Sequence, residues 1–303
     1  MNIVRRHRWH RGRWLALAGA LWLALGAAVQ AQGGAADLQQ RRTALQPRLQ
    51  ASPFGQPLVL DSREGDGSLA GEVHAEMPQP FARLAGLLRS APAMCEMLLL
   101  HLNVRGCRAG GAAGAAGPGP IVLLVGPKQL DSTSLLQRIG YGTQLEAPTA
   151  DFVRLTLAAA KGPLGTRDYR IVIEATPIDS GRSFVRLSYA YAYGFMGQAA
   201  MQAYLSTAGR AKIGFTVEAG ADGKPQPVRG ARGALERNVM RYYLALLAYG
   251  LVDGAPGGEH TEARLRQWFA LTERHAAQLH ELDLDDYLRE KRADLIRIVP
   301  ASP

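Results

Sequence analysis

The run Tyr169-Arg-Ile-Val-Ile-Glu-Ala-Thr-Pro-Ile-Asp-Ser-Gly-Arg-Ser-Phe-Val-Arg-Leu-Ser-Tyr-Ala-Tyr-Ala-Tyr193 decides how this chain folds. Successive side chains of a strand point to opposite faces. Tyr169, Ile171, Ile173 and Ala175 therefore share one face of a first strand, and Val185, Leu187, Tyr189, Tyr191 and Tyr193 share one face of a second. Asp179-Ser180-Gly181 supplies the turn between them. The result is an antiparallel hairpin with an apolar, aromatic face that needs a cover. A long helix from about Ala231 to Val252 supplies one: Leu235, Val239, Tyr242, Leu246 and Tyr249 form one stripe, and Met240, Tyr243, Leu247 and Leu251 a second. A helix apolar on nearly every side is buried, here against the sheet.

Working outward, Asp37 to Gln50 reads as a short surface helix, ended by Ser52-Pro53-Phe54-Gly55. Leu58–Leu60 and Leu69–Met77 read as strands around a turn at Glu64-Gly-Asp-Gly67, and Pro78-Gln-Pro80 opens a helix carrying Phe81, Leu84, Ala85 and Leu88. Met97 to Val104 reads as a strand, Gly106 to Pro120 as a low-complexity loop, and Ile121–Val125, Gln137–Glu146 and Asp151–Ala160 as further strands. A helix over Gln198–Ala208, a short strand over Lys212–Glu218, and two amphipathic segments, His260–His280 and Asp283–Ile298, complete the pattern. Hairpins in place of alternating strand and helix predict an α+β class: a curved antiparallel sheet gripping a long C-terminal helix, with extra helices after it.

The chain of 303 residues carries 35 Lys and Arg against 26 Asp and Glu, a surplus of nine cations. Five of these, Arg5, Arg6, Arg8, Arg11 and Arg13, precede the apolar run Trp14–Val29, which ends in Val29-Gln30-Ala31. A basic head, a short apolar stretch and small exit residues are the pattern of a secretory signal peptide over 1–31, with retention as a membrane anchor the alternative. Without the leader the surplus falls to four, and no localised basic stripe remains, so no nucleic-acid partner is expected. Export to the periplasm is the expectation. The domains follow: 1–31 leader, 32–54 lead-in, 55–254 main domain, and 259–299 a C-terminal helical extension.

Cys95 and Cys107 are the two cysteines. In an oxidising compartment they would bridge; with His101 midway they could instead supply metal ligands, although structural zinc sites pair cysteines at closer spacing.

The segment Gly71-Glu-Val-His-Ala-Glu-Met-Pro-Gln-Pro-Phe-Ala-Arg-Leu-Ala-Gly-Leu-Leu88, a strand leading into a Pro-Phe helix, resembles the opening of the START-like helix-grip domains, the polyketide-cyclase and lipid-transfer superfamily. Gly165-Thr-Arg-Asp-Tyr-Arg-Ile171 is similar to that superfamily's Arg-Asp-aromatic strand. The likeness covers residues 55 to 252; the Gly/Ala-rich loop and the fifty C-terminal residues depart from it. The overall layout also resembles a group of exported proteobacterial proteins. The resemblance implies a hydrophobic cavity between sheet and helix that holds a lipid or a catalytic site.

Tyr189, Tyr191 and Tyr193 would give such a ligand apolar contact through their rings and orienting hydroxyls; core packing at the sheet margin is the plainer account. Arg237 and Arg241, one turn apart, could hold a carboxylate or phosphate, or lie paired or outward. Arg167 carries a ligand role through the resemblance alone, and alternation sets it and Asp168 on opposite faces. Glu72, His74 and Glu76 share a face of their strand, more simply a solvated polar face than a metal site. No nucleophile elbow, zinc-protease helix, phosphate loop or haem-attachment motif occurs, and no cofactor or metal is expected. The first expectation is a hydrophobic or amphipathic ligand such as a lipid or fatty acid. The others are an enzyme on the same scaffold using Glu174, Arg237 or Arg241, and an envelope interaction module with peripheral envelope contact. Oligomeric state is left open by the sequence.

Overall fold

A computed structural model describes residues 34–110, 117–130, 132–146, 149–207, 209–220, 222–297 and 299. The leader lies outside them. A first helix, α1, covers residues 34–50. Then come β1 (Leu58–Gly65), β2 (Ser68–Met77), α2 (Phe81–Arg89), α3 (Ala91–Leu99), β3 (Val104–Ala109), β4 (Ile121–Val125), β5 (Gln137–Glu146), β6 (Val153–Lys161), β7 (Thr166–Pro177) and β8 (Ser183–Tyr193). After them follow α4 (Phe195–Ser206), the short ribbon β9 (Val217–Ala219) and β10 (Pro225–Pro227), α5 (Gly230–Leu251), α6 (Gly258–Glu273), α7 (Ala276–Leu279) and α8 (Leu284–Leu295).

The eight long strands form one sheet in the order β1-β2-β8-β7-β6-β5-β4-β3, antiparallel at every pairing. One face meets α5. Leu69, Val73, Ala75 and Met77 of β2, Ile171 and Ile173 of β7, and Val185 and Leu187 of β8 share a core with Leu235, Val239, Tyr242 and Leu246 of the helix. At Gly71 the helix comes so close that an added Cβ would lie 3.3 Å from Leu235 and 3.4 Å from Val239. A larger residue there would make the Leu235 and Val239 side chains give by a few tenths of an ångström.

The opposite face is covered too. Ala35, Leu38 and Leu49 of α1 pack with Val59, Phe152 and Phe184, and Arg42 and Arg48 pair with Glu76 and Asp61. The polar face expected to be solvated on β2 is therefore partly covered: His74 is 1% exposed, while Glu72 borders an open groove. Beyond α1 a row of alternating charge crosses the sheet, Glu72–Arg186–Glu174–Arg154–Glu146, because its members stand opposite or diagonal in register.

Two sequence expectations fail here. Met97–Leu99 close helix α3, and the strand after it starts only at Val104. Ser90 caps α3 by accepting the Ala93 N–H, and Pro92 sits in its first turn, so local start signals override the apolar run. Within the expected strand Lys212–Glu218, only Val217 and Glu218 enter a strand, paired with β10.

The C-terminal helices belong to the same core. Leu265 and Trp268 of α6 and Tyr287 and Leu288 of α8 join it. Arg264, 0% exposed, lies against Glu96 at 2.9 Å and over the Tyr249 ring at 4.0 Å. Tyr287 and Lys291 donate to the carbonyls of Leu100, His101 and Val104. Cys95 and Cys107 are bonded, tying α3 to β3 with their Cα atoms 5.4 Å apart. His101, the third member of the metal alternative, is engaged elsewhere.

A candidate ligand cavity between sheet and helix

A cavity of about 800 Å³ opens between β7–β8, α4 and α5. Its apolar wall is the tyrosine face. Tyr169 and Tyr191 stack at 5.2 Å with planes 11° apart, and Tyr189 lies 5.7 Å from Tyr191 and 5.6 Å from Tyr242 of α5. Burial raises the phenols of Tyr169, Tyr189 and Tyr191 above the ordinary tyrosine range, so all are neutral. Tyr193 stands at the margin, near Glu64. Leu69 and Leu235 add aliphatic surface.

The other end is polar and cationic. Arg237 donates to the carbonyl of Ile213 at 3.1 Å and reaches the Tyr204 hydroxyl at 3.4 Å. Arg241 donates to the carbonyl of Leu279 at 3.2 Å and to Glu281 at 3.0 Å. Its Nε is buried with no partner. Glu281 also receives Lys128, and Lys212 at 3.1 Å. Burial opposes that carboxylate's ionisation, but the hydrogen bond from Lys128 and the charges of Arg241, Lys128 and Lys212 hold its pKa below the usual range. Three cations thus share one carboxylate, an arrangement that attracts an anion.

Between the arginines stands Asn238. His101 Nδ1 accepts the Asn103 N–H at 3.2 Å, which leaves the proton on Nε2 to donate to Asn238 Oδ1 at 2.9 Å. Burial, with Arg241 and Lys291 nearby, holds the His101 pKa well below its ordinary value, so the ring is neutral. Fixing the amide oxygen on His101 turns the Asn238 NH₂ away from it, on a residue that lines the cavity. The wall between Arg237 and Arg241 therefore presents donors.

Of the residues singled out in the sequence, Tyr189, Tyr191, Tyr193, Arg237 and Arg241 line this one cavity. Arg167 does not; it pairs with Asp168 at 3.3 Å. Alternation set those two on opposite faces, but the ladder is irregular between Arg167 and Arg170, and Asp168 takes φ 56°, which brings them together. Glu174, the enzyme candidate, lies in the charge row on the opposite sheet face. Sequence reasoning missed Tyr169 as a ring partner of Tyr191, the α4 wall with Met201 and Tyr204, and Lys128 and Glu281, which sit far apart in the chain.

No protein-family model matches the chain, and no curated protein matches it. Among solved structures, the chain is similar to human StAR-related lipid transfer protein 5, with 8% identity over 73% of this chain and 98% of that one, at a TM-score of 0.38. It is similar also to the Zhui aromatase/cyclase of Streptomyces sp. R1128, with 15% identity over 66% and 96% and a TM-score of 0.34. A third likeness is to norcoclaurine synthase of Thalictrum flavum, with 12% identity over 50% and 80% and a TM-score of 0.30. The chain is an α+β protein in which an antiparallel sheet is laid across one long C-terminal helix, the START-like arrangement. Strand order and the placement of α5 carry that statement.

Proposed function

We propose that this protein is exported and binds an amphipathic small molecule of the lipid or fatty-acid class, its apolar body on the tyrosine face and its acidic head at Arg237, Asn238 and Arg241. The observation that carries the reading is the cationic end of a tyrosine-lined cavity, where Arg237 and Arg241 line the wall and Arg241, Lys128 and Lys212 converge on the single carboxylate of Glu281. Three cations over one carboxylate favour an acidic head group there. Among the described residues no helix is long and apolar enough to cross a membrane, and the disulfide suits an oxidising compartment. In this reading residues 55–254 form the binding unit, and the segment 259–299 completes its wall through Glu281.

The test is titration with a fluorescent long-chain carboxylic acid, competed by palmitate and by methyl palmitate. Saturable binding displaced by the acid at least tenfold better than by the ester, and weakened about tenfold in Arg241→Met, is the expected result; each tenfold corresponds to about 1.4 kcal/mol. Absence of saturable binding, or equal displacement by acid and ester, would overturn the reading. Export is checked separately, by the mass of the protein recovered from cells with and without residues 1–31.

A further inference from the structure

The strongest unexplained group in the molecule lies on the far side of the sheet from the cavity. His74 is 1% exposed, and neither ring nitrogen has a hydrogen-bond partner. Its ring stacks on Phe184 at 6.1 Å with planes 20° apart, and Phe184 belongs to the apolar cluster under α1. Buried side-chain polar atoms are overwhelmingly bonded, and one left bare calls for a reason.

Register supplies that reason. Asp61 of β1 stands directly opposite Glu72 of β2, and His74 follows Glu72 by two positions, so all three side chains leave the same face of the sheet. One carboxylate oxygen from each acid and a ring nitrogen of His74 lie within 4.8 Å of one another. Two carboxylates facing each other across a strand pair repel. Arg48 engages both oxygens of Asp61, at 2.7 and 3.1 Å. Arg186 engages only Oε2 of Glu72, at 2.9 Å from Nε and 2.8 Å from Nη2, so the contact leaves Oε1 available. Asp61 and Glu72 border an open groove of about 450 Å³ that gives solvent access.

We propose that Asp61, Glu72 and His74 form a binding site for a divalent transition-metal cation, with zinc the best-suited ion. Imidazole and carboxylate together favour a borderline cation over a hard one such as magnesium. Zinc takes nitrogen at about 2.0–2.1 Å and carboxylate oxygen at about 2.0–2.2 Å, which side-chain rotation from the present separations reaches. Water would complete the tetrahedron from the groove. Arg48 and Arg186 stay on their carboxylates as outer partners that orient them, and with Arg41, whose charge also acts on His74, they hold the affinity below that of an all-anionic site. The bound ion would pin β1 to β2 under α1. Glu76, grouped with Glu72 and His74 by the sequence, is excluded from the site, since Arg42 and Arg182 hold it.

The test uses the untagged protein, stripped with chelator and titrated with zinc chloride by calorimetry alongside thermal melts. One equivalent bound at micromolar concentration, a raised Tm, and no response to magnesium are expected. Glu72→Gln and Asp61→Asn should each weaken zinc binding by roughly tenfold or more while keeping the metal-free Tm within a few degrees. His74→Phe, which keeps an aromatic ring against Phe184, should abolish binding. Should that variant fail to fold, zinc-induced shifts of the His74 ring nitrogens by NMR on the wild type decide the matter. Zinc binding that is absent below millimolar concentration, leaves the His74 ring unmoved, or persists in Glu72→Gln and Asp61→Asn overturns the proposal.

Discussion

His101 is a residue whose importance lies in what it does to another. Its two nitrogens are committed, one accepting from Asn103 and one donating to Asn238, and its ring lies 4.5 Å from that of Tyr242. It is a positioning residue for the cavity wall. His101→Phe keeps the stacking and releases Asn238, so affinity for a carboxylate probe should fall about tenfold, or about 1.4 kcal/mol, while affinity for the methyl ester holds. Equal losses for acid and ester would show a merely structural role. The tyrosines and the arginine pair were legible in the sequence, because alternation places every second strand residue on one face and one helical turn separates Arg237 from Arg241. The His101–Asn238 contact was not, because a lone histidine between two cysteines invites a metal reading and nothing local points to a helix 137 residues away.

Among the elements, α3 and α8 show why local pattern misleads. The run Met97-Leu-Leu-Leu100 has the composition of a buried strand, yet the Ser90 cap seven residues earlier commits it to helix. The sequence reads α6 and α8 as an amphipathic extension, yet α6 closes over a buried carboxylate, Glu96, which accepts from Thr261 at 2.6 Å and Arg264 at 2.9 Å. Likewise α8 inserts Lys291 and Asp294 beside Arg105. Amphipathic periodicity shows that a face is covered without saying by what. The disulfide holds α3 to the strand on which α8 docks. Replacing both cysteines by serine should cost about 3 kcal/mol, the loop-closure value for a short loop, seen as a lower midpoint in denaturant. An unchanged midpoint would mean that burial alone fixes this corner.

For the molecule as a whole, buried basic side chains set the response to pH. His101 and His275 have pKa values lowered chiefly by burial. As pH falls below about 6.5, the unfolded chain takes up protons at these rings and the folded chain does not, so stability falls toward acid. Lys291, pushed down by burial to about 8 despite Asp294, acts in the same sense on the alkaline side. Between about pH 8 and pH 10 the unfolded chain holds that proton and the folded chain releases it, so stability rises with pH. Above that the trend reverses, because tyrosines ionise in the unfolded chain while burial keeps them neutral in the folded one. Melting temperatures from pH 5 to about pH 11 should show this shape, with the alkaline rise reduced in Lys291→Met. A flat profile would mean that these groups relax to water.

The pairing of β2 with β8 carries a consequence for biogenesis. Glu72 lies opposite Ser188, so during synthesis β2 waits, one edge bare, until most of the sheet has been made. Contacts of such span are slow to form, and a bare edge invites stray pairing in the meantime. Under the export proposed above the delay has a use: the chain can be threaded across a membrane before its native sheet has the means to close, and it folds on the far side, where its cysteines can oxidise.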